Sequence, residues 1–223
     1  MMTNLFSIFD PTTKLMLSSN WISTIMFMMI LPLQFWMLNN RYKQSLSSLM
    51  KYLFTEFSPL IKKSPYILII SSSLFMFIMM NNSAGLLPYI FTASSHIMIT
   101  LPMALSMWMG LYLYSWLNNY YNSLTHLIPQ GTPAILMPFM VIIETVSNII
   151  RPGTLAVRLA ANMIAGHLLL VLLSSSFIHL NMISSPILFI FLVLLSLLEM
   201  AVAIIQAYVF TILISLYCSE SVN

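Results

Sequence analysis

The run from Arg151 to Leu170, RPGTLAVRLAANMIAGHLLL, sets a guanidinium, an amide and an imidazole inside a segment that otherwise reads as membrane-spanning. Between Gly153 and Ile178 the only formal charge is Arg158. A charged side chain at the centre of a spanning helix costs roughly 2.5 to 3.5 kcal/mol on insertion scales, so something must offset it. An arginine does not lose its proton in a protein. It holds a fixed positive charge and cannot pass a proton along, which makes Arg158 an electrostatic element. On a helix Asn162 follows at i+4 and shares its face, while His167, nine residues on, lies about 180° round and about 13 Å further along.

A second polar set lies in the last apolar run, where Glu199 and Gln206 are seven residues apart, hence on one helical face and about 10 Å apart. With Glu144, the ionisable residues within apolar stretches are Glu144, Arg158, His167 and Glu199. Such residues face the protein interior or a water-filled cavity and mark ion pathways. If the helices bearing His167 and Glu199 form an antiparallel hairpin joined near residue 180, the two groups lie at similar depth, where a His–Glu pair can relay protons. The competing reading is a buried ion-pair cluster that only locks helices together, a role neutral residues fill at lower cost. Ala156, Ala160, Ala161 and Ala165 point to close helix contact, and the 20 methionines read as lipid-facing and core filler.

Composition narrows the function classes. Of 223 residues 60% are hydrophobic and 6% charged, with mean hydropathy +0.94, so a soluble domain with a polar shell is excluded. A net charge of +3 is too small and too scattered for a nucleic-acid surface. Cys218 is the single cysteine, which excludes an internal disulfide and a cysteine-ligated metal. The histidines at 96, 126, 167 and 179 never stand three or four apart, so no helical metal pair is encoded. No GxxxxGK[ST] loop occurs among the five glycines, and the chain is expected to bind no nucleotide and no cofactor. The opening MMTNLFSIFDPTTK has neither a basic region before an apolar core nor the arginines of an organellar leader, which fits a chain made where it inserts.

Elements that must position these residues follow from hydrophobic patterning. After a mixed lead with an Asp10-Pro11 turn signal, a first span is predicted from about Trp21 to Leu38, with Trp21 and Trp36 as interfacial anchors. From Arg41 to Lys63, Leu46, Leu49, Met50, Leu53, Phe54, Phe57, Leu60 and Ile61 recur at helical spacing opposite Lys43, Gln44, Ser47, Ser48, Lys51 and Thr55. That pattern suits a helix lying in the membrane surface, or one packed on a soluble partner. The same connection carries Arg41, Lys43, Lys51, Lys62 and Lys63 against Glu56, which places it on the cytoplasmic or matrix side and the N-terminus outside. Further spans are expected over 66–87 and 96–117, then a polar, turn-rich connection over 118–133, with His96 and His126 as interfacial residues. From Ala134 to Ile178 the chain stays apolar for 45 residues, about 67 Å if helical and roughly twice a bilayer core. Either two spans meet at Pro152-Gly153 or one long kinked helix is steeply tilted. A short connection over 179–185 precedes a final helix over 186–217.

Taken together, these motifs resemble subunit a of the rotary F-type ATP synthases in its mitochondrial form. The likeness runs from MTNLFSIFDP through PQGTPAILMPFMVIIETVSNIIRPGTLAVRLAANMIAGHLLL to EMAVAIIQAYVFTILISLY, with RLxxNMxAGH and the Glu199-to-Gln206 spacing in the family's order. The resemblance implies an all-α polytopic membrane protein of about five transmembrane helices plus one interfacial helix (41–63), a single integral membrane domain over 1–223, and a long tilted hairpin over 134–218 facing a ring of c subunits. It implies that Arg158 is the essential arginine between two aqueous half-channels, with Asn162 and Gln206 as polar neighbours. His167 and Glu199 would be the titratable pair where protons come in, and Glu144 the acid of the matrix-side exit. Arg151 is assigned topology and packing only. Partners implied are the c-ring, peripheral-stalk and other membrane-sector subunits, the lipid bilayer and protons, in the mitochondrial inner membrane. No catalytic or metal centre is expected in this chain.

In the implied mechanism a proton from the intermembrane space, passing Glu199 and His167, neutralises a c-subunit carboxylate, which turns into lipid. A carboxyl arriving from the other side meets Arg158, where a unit charge about 4 Å away favours ionisation by on the order of 4 kcal/mol at an effective dielectric of 20. Its proton leaves toward Glu144. A self-contained secondary transporter would need inverted repeats, and none is evident. A purely structural membrane subunit would tolerate neutral replacement of Arg158 and Glu199.

Overall fold

The computed structural model describes residues 5–12, 19–26, 38, 40–59, 61, 65–88, 90–125, 127–128, 132–177 and 185–222. Among these every regular element is helical. The order is α1 (Ser23–Met26), α2 (Arg41–Phe57), α3 (Tyr66–Gly85), α4 (Ile97–Asn118), α5 (Tyr120–Thr125), α6 (Met137–Ser176) and α7 (Ser185–Val222). The helical stretches Tyr66–Gly85, Ile97–Asn118, Ala134–Ser176 and Ser185–Ser219 are each long and apolar enough to cross a membrane, so the chain is an all-α polytopic membrane protein. Of the first predicted span, residues 27–37, Trp36 included, lie outside the described residues, as do Lys62, Lys63, His126, His179 and most of the connection to α7.

The apolar run from Ala134 is one helix and not two. α6 continues through Pro152 for 40 residues, about 60 Å at 1.5 Å per residue, which decides for a single long helix. A proline removes one backbone donor, which spanning helices tolerate. The carbonyl left without its helical donor by Pro152 is that of Asn148, while Thr154 Oγ1 makes the ordinary back-bond to the Arg151 carbonyl at 2.9 Å. α7 spans 38 residues. Both helices exceed a hydrocarbon core of about 30 Å and must tilt or project from it.

Small residues govern how these helices meet. Pro152, Leu155, Ala156, Leu159, Ala160 and Met163 recur at three- and four-residue spacing and form the buried stripe of α6. On α7 the buried stripe is Glu199, Ala203, Ala207, Phe210, Thr211, Ile214, Ser215 and Cys218. α3 packs along α7, α4 along α6, and the two long helices pack on each other. Gly166 of α6 lies against Glu199 of α7, and Arg151 against Tyr217, so the pair is antiparallel. Asn82 Nδ2 of α3 donates to the Ala203 carbonyl at 3.5 Å, one turn past Glu199.

The amphipathic helix ends sooner than its pattern. α2 stops at Phe57, just before Ser58-Pro59, where a proline can no longer donate to the preceding turn. Its apolar stripe closes on the chain's own bundle: Leu53 and Phe57 are buried, Leu46, Leu49 and Met50 pack beside them, and the Phe57 ring lies 6.3 Å from Tyr208 of α7. Gln44, Ser48, Lys51 and Thr55 stay exposed on the other side. The connection after α4 also differs from a plain loop. Asn119 (φ −140°, ψ 57°) breaks α4, and the following YYNSLT, free of Gly and Pro, winds into α5. At the other end His96 starts α4 while stacking on Phe91 at 5.1 Å and meeting the Trp21 ring at a tilt at 5.3 Å, so Trp21 is part of an aromatic cluster. The Asp10-Pro11 turn forms as expected: Asp10 accepts from the Thr12 backbone N–H at 3.0 Å and its hydroxyl at 2.7 Å, which holds the carboxyl below its usual range.

Candidate functional site

The functional candidates fall on two helices because α6 carries two stripes. Glu144, Arg151 and Arg158 are separated by seven residues each, and Asn162 follows Arg158 by four, so they share one side of the helix. That side is offset by about 100° from the buried alanine stripe, given 3.6 residues per turn. Arg158 is consequently exposed on the outside of the bundle, although it sits mid-helix in an apolar segment. Arg151 pairs with Glu144 on this side, whereas Arg158 has no carboxylate partner among the described residues.

Glu199 faces the opposite way. It heads the buried stripe of α7, is 7% exposed, and neither carboxyl oxygen has a hydrogen-bond partner among the described residues. Burial of an unsatisfied carboxyl is costly, so its surroundings matter. The carboxyl lies over Gly166: a β-carbon there would stand 2.8 Å from Oε1 and 2.9 Å from Cδ. The missing side chain is what admits the group between the helices. On its open side Glu199 borders a cavity of about 190 Å³ lined also by Asn162, Met163, Leu169, Leu195 and Val202. That volume has room for several waters, for which Glu199 and Asn162 are the polar wall. The cavity therefore joins a titratable carboxyl on α7 to the amide one turn from Arg158 on α6.

His167 is next to Gly166 in sequence but turns away from Glu199. Its Nε2 lies 2.7 Å from the Gly85 carbonyl at the end of α3. A carbonyl only accepts, so Nε2 carries the hydrogen and Nδ1 is left for exchange. The Phe9 ring meets the imidazole edge-on at 6.3 Å. The two residues thus lie at similar depth, as the hairpin argument anticipates, without the direct His–Glu hydrogen bond. The reason is the nine-residue offset from Arg158, which directs His167 toward α3. Gln206 is half-buried, two turns beyond Glu199 on the same side of α7.

At the far end of the hairpin Arg151 Nη2 stands 3.6 Å from Glu144 Oε1, with both side chains about one-third exposed (32% and 35%). Sequence reasoning assigned Arg151 to topology and packing, yet the seven-residue spacing from Glu144 already put the two on one face. Gly166 and the Gly85 carbonyl were not singled out, because their roles exist only where another helix approaches. No group of three or more His, Cys, Asp or Glu side chains is gathered as for a metal ion among the described residues.

Comparison with known proteins identifies the family. The sequence pattern of the ATP synthase A chain family matches residues 17–219. The chain is 50% identical over 229 residues to ATP synthase subunit a of Anopheles quadrimaculatus, covering 99% of both chains. It is likewise 50% identical over 222 residues to the subunit a of Drosophila melanogaster, again with 99% of each chain covered. A match of this extent leaves no separate region to explain, and the chain belongs to the ATP synthase A chain family, the proton-translocating subunit of that enzyme's membrane sector.

Proposed function

We propose that the two long helices, over 134–218, form the surface on which the ring of c subunits turns, and that Arg158, Asn162, His167, Glu199, Gln206 and Glu144 carry protons to and from it. As a member of its family the chain is a multi-pass protein of the mitochondrial inner membrane, with other membrane-sector subunits as partners. The observation that carries the finer reading is Arg158: a permanent cation mid-helix, exposed outward, without a carboxylate among the described residues. A charge of that kind in an apolar helix needs a counter-charge from outside the chain. A carboxylate on a moving partner supplies it, whereas a self-contained transporter or an inert structural subunit gives no reason for the cation to face outward.

The mechanism follows from what each group is able to do. Protons reach the cavity beside Glu199 from the intermembrane space, with His167 on the α3 side as the second exchanger. Glu199 passes a proton by way of the cavity, near Asn162, to a ring carboxylate, which becomes neutral and able to enter lipid. A carboxyl completing its circuit meets Arg158, which favours its ionised form, and the proton released leaves along Glu144 to the matrix. Because the guanidinium cannot relay protons, it also blocks a direct leak between the two paths. Gln206 and Asn162 flank it with amides that hydrogen-bond without titrating.

Arg158→Lys tests this reading. A lysine keeps the charge but is able to release its proton when desolvated. The expected result is assembled complex with ATP synthesis reduced at least about a hundredfold, the scale of losing a preorganised charge at a reacting group. Normal synthesis by vesicles carrying this variant would reduce Arg158 to a structural residue.

A further inference from the structure

The matrix-side end of the hairpin holds a geometry that the scheme above does not use. Glu144 and Arg151 stand two turns apart on one face of α6, within reach of each other, yet the closest approach is 3.6 Å. Charge-assisted N–H···O bonds close to about 2.7 to 2.9 Å. The same guanidinium lies with Cζ 5.2 Å from the centre of the Tyr217 ring on α7. That is inside the range at which a cation is attracted to an aromatic face. Arg151 is thus drawn both toward a carboxylate on its own helix and toward a π face on the other.

We infer that Tyr217 is a positioning residue of the proton-release path, whose ring holds the Arg151 guanidinium back from Glu144 so that this carboxylate stays open to take up and hand on a proton. The inference rests on Glu144 being the exit carboxylate. A closed, two-pronged pair would occupy both carboxyl oxygens, and each arriving proton would have to break it. An aromatic face competes for the cation without offering or accepting a proton there. With about one-third of each side chain exposed, the Glu144 carboxylate is not sealed off by the pair.

The test uses the assembled synthase in inner-membrane vesicles, reading passive proton flux per assembled complex. Tyr217→Leu is expected to slow flux about tenfold, less than the roughly hundredfold or more that losing a proton-transfer group itself costs, while Tyr217→Phe, which keeps the π face, retains it. Tyr217→Met serves the same purpose if the leucine variant assembles poorly. The deciding arm is the double variant Tyr217→Leu with Arg151→Gln, expected to recover the flux of Arg151→Gln alone, because no cation remains to close on Glu144. Flux at the wild-type level in Tyr217→Leu, or a double variant as slow as that single one, overturns the inference; the second outcome would mean that the ring only clamps α7 to α6. Glu144→Gln run alongside separates the two levels. If it conducts normally, the exit assignment itself fails; if it is slow while Tyr217→Leu is normal, only the role of Tyr217 fails.

Discussion

Glu199 illustrates how much of this site depends on an absence. Its carboxyl is accommodated because residue 166 has no side chain, and a β-carbon there would lie 2.8 Å from Oε1. Gly166→Ala should therefore push the carboxylate out of its place while leaving the helix intact, since the displaced atoms end a flexible side chain. Displacements near 1 Å at a reacting group cost up to about a hundredfold in rate. We expect assembled complex with proton flux down at least about tenfold, measured as flux per complex; unchanged flux would show that the position of Glu199 is not critical. Glu199→Gln should preserve the fit over Gly166 and remove the titrating group. Its expected signature is normal assembly with slowed proton uptake, and undiminished flux would count against a relay at this residue.

At the level of the helices, the alanine stripe of α7 is what brings Glu199 to its depth. Ala203 and Ala207 are 1% and 0% exposed, and α3 packs directly along this face. Larger side chains inserted into a filled interface cost typically about 1 to 3 kcal/mol through shifted backbones and strained rotamers. Ala207→Leu should accordingly lower the amount of assembled complex, seen on native gels, with the flux of whatever assembles close to normal. The opposite pattern, full assembly with slow flux, would make Ala207 part of the proton path. Helical spacing in α2 predicted an apolar stripe, and the structure adds that this stripe meets the chain's own bundle at Tyr208, which period alone does not specify because a stripe against lipid and one against a helix repeat alike.

Over the whole molecule the basic residues of α2 set orientation. Arg41, Lys43 and Lys51 lie on the connection expected on the matrix side, which puts the corner between α3 and α4 toward the intermembrane space. Cys218 is buried, so single cysteines introduced at exposed positions report cleanly. Ser48→Cys should react with a membrane-impermeant maleimide only from the matrix side and Leu87→Cys only from the other, and reversed labelling would invert the direction assigned to the proton path. The membrane class, Arg158 with its amide neighbour Asn162, and the spacing that puts Glu144, Arg151 and Arg158 on one face were legible in the sequence by itself, because hydropathy and helical period are local properties of the chain, whereas the outward exposure of Arg158 came only with the structure. Whether Pro152 ended α6, where His167 sent its hydrogen bond, why residue 166 has no side chain and how Arg151 divides itself between Glu144 and Tyr217 were decided only by the tertiary structure. Each of those depends on the helix that happens to lie opposite, and periodicity records which face a residue occupies without recording what that face will meet.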